Sequence, residues 1–120
     1  MNEVSVKVDS SVNAPGLSRS RLVPMKHTLG ARYDDVVLVV SELVSNSVRH
    51  GSTEAIEVSV TARDGWIRIE VTDDGPGFAV DTPRGDGLGL SIVERLADRW
   101  GMKDGSQQFT VWAELAAQAS

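Results

Sequence analysis

Val4, Val6 and Val8 alternate with Ser5, Lys7 and Asp9, the two-residue period of a half-buried strand, here read as a sheet edge. The same period runs through Ile56, Val58 and Val60 and resumes at Ile67, Ile69 and Val71 after Arg63-Asp64-Gly65, which predicts a β-hairpin. Phe109, Val111 and Ala113, set against Thr110, Trp112 and Glu114, predict a last strand. Elsewhere the spacing is helical. Val36, Val37, Leu38, Val39, Val40, Leu43, Val44 and Val48 almost encircle a helix that Asp34 and Asp35 are suited to cap and Gly51 to stop, so it must be largely buried. A helix over 15–29 is interrupted by Pro24 and ended by Gly30. Leu90, Val93, Leu96, Ala97 and Trp100 predict a third, with Gly101 as its stop. A loop rich in Gly, Pro and Asp spans 73–87, and residues 116–120 read as a frayed tail.

The resulting order, β, α, α, β, β, α, β, predicts an α+β two-layer sandwich. Its sheet is mixed but mainly antiparallel, with about three helices on one face. Glu57, Arg68 and Glu70 then meet solvent on the other face. A chain of 120 residues has the length of one domain, expected over 1–120.

Composition narrows the chemistry. Without cysteine, thiolate nucleophiles, disulfide frameworks and Cys-ligated zinc are excluded, and a reducing compartment is suggested. The start, Met1-Asn2-Glu3-Val4-Ser5, has neither a basic head nor an apolar stretch, and no apolar run reaches spanning length, so the expectation is a cytoplasmic protein with no membrane partner. A formal charge of -5 works against a broad nucleic-acid interface. It does not exclude a nucleotide, whose phosphates are held by backbone amides, a metal ion and a few basic residues.

Three segments carry candidate chemistry. In the first, 42–51, Glu42, Asn46 and Arg49 share one helical stripe. The carboxylate and carboxamide make an oxygen-rich ledge. Because Mg²⁺ on phosphates keeps several waters and needs few protein oxygens, Asn46 suits a direct ligand and Glu42 a group that polarises a hydroxyl or water. In the second, Asp73-Asp74-Gly75-Pro76-Gly77 follows a strand. Asp73 is placed to accept from the amino group of adenine, and Gly75 and Gly77 permit close ligand approach. The third, Gly85-Asp86-Gly87-Leu88-Gly89-Leu90, runs into a helix whose free amides and positive dipole end attract phosphate. Any one of these is a common feature of solvated helix edges or turns, and the dinucleotide fingerprint needs a parallel setting that this order does not supply.

Together, and in this order, the segments resemble the GHKL ATPase superfamily, which includes gyrase B, Hsp90 and histidine kinases. Residues 42–51 are similar to its N box, 73–77 to its DxGxG box and 85–90 to its glycine-rich box, and the similarity runs over about 15–115. The resemblance implies a Bergerat ATP-binding fold with ATP and Mg²⁺ as cofactors. Length, with the stretches 39–51, 97–101 and 110–115, resembles the small bacterial anti-sigma branch with serine-protein kinase activity. That resemblance implies Glu42 as the base on a serine of a partner protein and Asn46 as the metal ligand. Arg49, His50, Asp73, Gly75, Gly77, Arg84, Gly85, Gly87, Leu88, Gly89 and Thr110 are the further nucleotide-binding candidates, with Arg19 or Arg21 also within possible reach of phosphates. It also implies a sigma factor and an STAS-type antagonist as partners, with ATP and ADP as ligands and a homodimer as a possible state.

The pattern departs from the family where Gln107-Gln108-Phe109 precede Thr110 in place of a glycine-threonine pair, and where Pro24 interrupts a helix. Two other readings stay open: a non-catalytic ATP-dependent switch, and the catalytic ATPase domain of a histidine kinase. Trp66, Trp100 and Trp112 are read as packing groups rather than a stacking platform.

Overall fold

Each alternating stretch becomes a strand, and one strand arises where the spacing predicted helix. The computed structural model describes residues 2–49, 54–74, 90–105 and 107–117. Strands β1 (Glu3–Asp9), β2 (Ala55–Arg63), β3 (Trp66–Asp73), β4 (Arg99–Asp104) and β5 (Phe109–Ala116) form one sheet in the order β1-β2-β3-β5-β4. All the described pairings are antiparallel. β1 lies at one edge, as its pattern predicts. The β2–β3 turn is Asp64-Gly65, both at positive φ, 54° and 81°, the conformation that a two-residue hairpin turn of type I′ requires.

Helices α1 (Ala14–Arg21), α2 (Lys26–Leu29), α3 (Tyr33–Arg49) and α4 (Ser91–Leu96) complete the α+β sandwich. α3 packs against β2 and β3, with α1 and α4 beside it. Val36, Val39, Val40, Leu43 and Val44 are fully buried against Ile56, Ile67, Ile69 and Leu115. Burial of that apolar surface is the main driving force for joining the layers. Among the described residues no helix is long and apolar enough to cross a membrane.

Four expectations are corrected. The segment 15–29 is not one helix: it breaks into α1, a 3₁₀ turn at Val23–Met25 holding Pro24, and α2. Proline, lacking an N–H, is tolerated at the start of that turn. Gly30 then ends α2 at φ 54°. Asp34 and Asp35 lie inside the first turn of α3, which begins at Tyr33; there they still complement the helix dipole, and Asp35 pairs with Arg32 at 2.8 Å.

The third correction is the largest. The helix expected to reach Trp100 stops at Leu96, Ala97 is extended (φ -85°, ψ 139°), and Arg99–Asp104 pairs with β5 as an edge strand. Gly101 is therefore no helix stop. It lies opposite Trp112 in the ladder, and a Cβ on it would approach the indole to 2.9 Å. At the tail, Ala116 belongs to β5 and Ala117 N–H donates to Gly65 O at 2.8 Å.

Candidate functional site

The buried stripe of α3 changes character in its last turns. After Val36, Val39, Val40, Leu43 and Val44 the next interior positions are Asn46, 1% exposed, and Ser47, 6%. A carboxamide so placed must be hydrogen-bonded or costs free energy. Its Oδ1 accepts from Arg49 Nη2 at 2.6 Å. Its Nδ2 is buried and has no partner among the described residues. One turn earlier, Glu42 is half-buried. Burial raises its carboxyl above the ordinary value, opposed by the nearby charge of Arg49 and by a hydrogen bond from the backbone N–H of Ile92. Glu42, Asn46 and Arg49 are thus one interacting stripe, as their spacing predicts.

The donor set fits a phosphate-bound Mg²⁺ that takes a single oxygen from the protein. Asn46 Oδ1 has a second lone pair beyond the one Arg49 uses. Arg49 is exposed, so its guanidinium can leave the carboxamide without breaking a packed core. Among the described residues there is no group of three or more His, Cys, Asp or Glu side chains able to hold a metal unaided, and a water-rich magnesium site needs none.

Asp73, 7% exposed, ends β3 on the face it shares with buried Ile67, Ile69 and Val71. That is the face α3 covers, so Asp73 and Asn46 enter the inter-layer space from the sheet and from the helix. A cavity of about 540 Å³ opens at this end of the sheet, lined by Asp73 and Asp74 together with Lys7, Glu57, Thr72 and Gln108. Its lining includes Asp73 and does not extend to Glu42, Asn46 or Arg49.

Thr110 is not brought to this group. β5 buries Phe109, Val111, Ala113 and Leu115, so strict alternation turns Thr110 to the outer face. There its hydroxyl lies 2.8 Å from that of Thr72. Phe109, not Thr110, stands opposite Asp73 in the β3–β5 register. Arg19 donates to Ser41 Oγ at 3.1 Å, next to Glu42, while Arg21 is exposed. His50, Gly75, Gly77, Arg84, Gly85, Gly87, Leu88 and Gly89, like Gly51, lie outside the described residues.

Trp100 packs against the core. Arg68 lies over Trp112 and Arg99 over Trp66, at 4.6 and 4.4 Å from the ring centres, so these tryptophans pack and pair with cations. Sequence reasoning missed the link from Ile92 to Glu42. Its only signal was the nearness of a predicted helix start to a glycine-rich loop.

Comparison with known proteins agrees with this fold. The family model described as "Histidine kinase-, DNA gyrase B-, and HSP90-like ATPase" matches residues 31–118. A sensor histidine kinase component from Mycobacterium tuberculosis is 37% identical over 84 residues, covering 57% of this chain and 49% of its own length. The chain thus spans about half the length of that relative, and 22% of a second probable sensor kinase from the same species. A serine-protein kinase RsbW from Staphylococcus aureus is 28% identical over 119 residues, covering 79% of this chain and 75% of its own. The fold is that of a crystal structure of RsbU and RsbW domains from Mycobacterium tuberculosis, with a TM-score of 0.76 at 24% identity over 97% of this chain and 32% of that one.

Proposed function

We propose, on the premise that this chain belongs to the family of histidine kinase-, DNA gyrase B- and HSP90-like ATPases, that it binds Mg-ATP and acts as an anti-sigma-factor-type serine-protein kinase. Asp73 would hold the adenine amino group, Asn46 Oδ1 would hold the metal, and Arg49, which donates to that oxygen in the structure, would serve the phosphates. When bound, the metal would supply neutralisation of phosphate charge. Glu42 takes the proton of a serine hydroxyl on an STAS-type antagonist; the serine oxygen bonds to the γ-phosphorus, and the bond to the β-phosphate oxygen breaks, leaving ADP. Catalysis of this kind rests on positioning and charge neutralisation. Binding of a sigma factor, a homodimeric state and a cytoplasmic location belong to the same reading.

The observation that carries it is coverage: the match to a serine-protein kinase takes in 75% of that protein, whereas the sensor-kinase matches take in half of theirs or less. The test is transfer of radiolabel from γ-labelled ATP to an STAS-type substrate. Label on serine, lost in Glu42→Gln, is expected. A second reading, the ATPase domain of a histidine kinase, is favoured by the higher identity, 37%, of a sensor kinase. Label on a histidine of a separate helical hairpin, with none on serine, would establish it instead.

A further inference from the structure

The two edges of the sheet are built differently. Ala62 N–H donates to Asn2 O and Ser10 N–H to Glu54 O, both at 2.8 Å, so in the β1–β2 register the backbone groups of the even-numbered residues of β1 face β2. Those of Glu3, Ser5, Lys7 and Asp9 face the free side, where no described strand lies. Their side chains are exposed on the outer face. On the inner face Val4 and Val8 are buried, whereas Val6 between them is only half-buried. At the far edge, the backbone that β5 carries past β4 is covered by side chains: Asp98 accepts from Ala116 N–H at 2.8 Å and Arg32 donates to Ala116 O at 2.9 Å. β4 itself sets only cations, Arg99 and Lys103, beside Gly101 on its outer face, and such charges oppose pairing with a like strand.

We propose that β1 pairs antiparallel with β1 of a second copy of this chain, about a two-fold axis at Ser5, joining the two sheets into one. The charges select this register. With Ser5 opposite Ser5, Glu3 of each copy stands opposite Lys7 of the other, and Val4 opposite Val6. An opposite-charge pair then forms at each end on the outer face, and the half-buried valine is covered on the inner. Moving the axis to Val6 sets Glu3 against Asp9, and moving it to Lys7 sets lysine against lysine; both are disfavoured. The ion pair that Lys7 makes with Glu57 at 3.5 Å, both side chains more than half exposed, is weak and leaves ammonium donors for a second carboxylate. Leu17, 46% exposed, adds apolar surface beside the same edge. α1 packs on α3 and β1 and Arg19 reaches Ser41 of α3, so Leu17, nearly opposite Arg19 round the helix, faces away from α3. The proposal gives an interface to the homodimeric state included in the reading above and rests on that state, not on the phosphoryl acceptor.

Because the chain has no cysteine, single-cysteine variants read the register. Residues directly opposite in such a ladder have Cα atoms about 5.5 Å apart, within reach of a disulfide, and residues two or more places out of line do not. Under mild oxidation Ser5→Cys is expected to form a covalent dimer, whereas Glu3→Cys and Lys7→Cys are expected to do so only when mixed with each other. In sedimentation equilibrium Lys7→Glu is expected to weaken the dimer about tenfold, and the double variant Glu3→Lys, Lys7→Glu to restore it. An unaltered chain that stays monomeric would overturn this interface and the homodimeric state together. A dimer in which Ser5→Cys does not cross-link, or which Lys7→Glu leaves intact, would overturn the β1 interface alone.

Discussion

On the outer face of the sheet Arg68 donates to Glu70 at 2.7 Å and to Glu114 at 2.9 Å while lying over Trp112, and Arg99 reaches the other oxygen of Glu114 at 3.0 Å. Between the layers, Asn46 is more deeply buried than any of these groups, yet its Nδ2 has no partner among the described residues. The outer network saturates its charges with one another, as a surface serving the fold should. Among the described residues the inner end leaves the Asn46 Nδ2 donor unmet, while an exposed arginine occupies its carboxamide oxygen. An unmet buried donor destabilises a fold.

The largest effect should come from the inner end. Asp73→Ala is expected to weaken ATP binding about 100-fold, the upper range for a hydrogen bond to a buried charge, and to bring ATP and GTP affinities together in calorimetric titration. Equal affinities in the unaltered chain would refute the role given to Asp73. Asn46→Ala should cost about tenfold in Mg-ATP affinity and little of the magnesium-free affinity. By urea denaturation it should lower stability by only about 1 kcal/mol, because the unmet donor goes with the side chain. A loss of about 3 kcal/mol or more would mark Asn46 as structural and erase the contrast between the two faces.

Glu114→Ala attacks the other side. Two half-exposed guanidiniums lose their shared acceptor, and about 1 kcal/mol of stability should go with it. ATP affinity should stay within about twofold of the unaltered chain, since partners on the outer face do not line the space between the layers. A larger fall in affinity would show that the faces are coupled through β5.

How far all this was legible depends on what the pattern can encode. β1, the hairpin, α3 and β5 were legible because each buries one face and repeats its own period. The stripe of Glu42, Asn46 and Arg49 was legible for the same reason, three side chains on one helix. β4 was not, because Leu90, Val93 and Leu96 set a true helical period that Ala97 and Trp100 continue by coincidence. The strand is decided by Gly101 leaving room for the Trp112 indole, a contact between residues far apart in the chain. Thr110 was named from a motif, which gives a residue type, while the alternation that buries Phe109 turns it to the outer face.

Arg49 offers the smallest and most specific test, because it is the counterpart of Arg68 with the opposite design: exposed, bonded to Asn46 and charged beside a half-buried Glu42. Burial lifts the Glu42 carboxyl above its ordinary 4.5, and Arg49 pulls it back. A base must be deprotonated to act, so the acid limb of any serine-phosphorylation profile should lie above that value. Arg49→Ala removes a lowering influence and should move the limb to higher pH. The linkage has the matching sign. With the folded-state value raised, the native protein holds the proton more tightly than the unfolded chain, so this group's contribution to stability is lost as pH rises from 4.5 through the folded-state value. Arg49→Ala should extend that loss upward in pH, read from denaturation midpoints at a series of acidic pH values. The limb difference between the two proteins should vanish at pH values high enough to deprotonate this group in both. A limb that moves to lower pH in Arg49→Ala would mean that the titrating group is not Glu42.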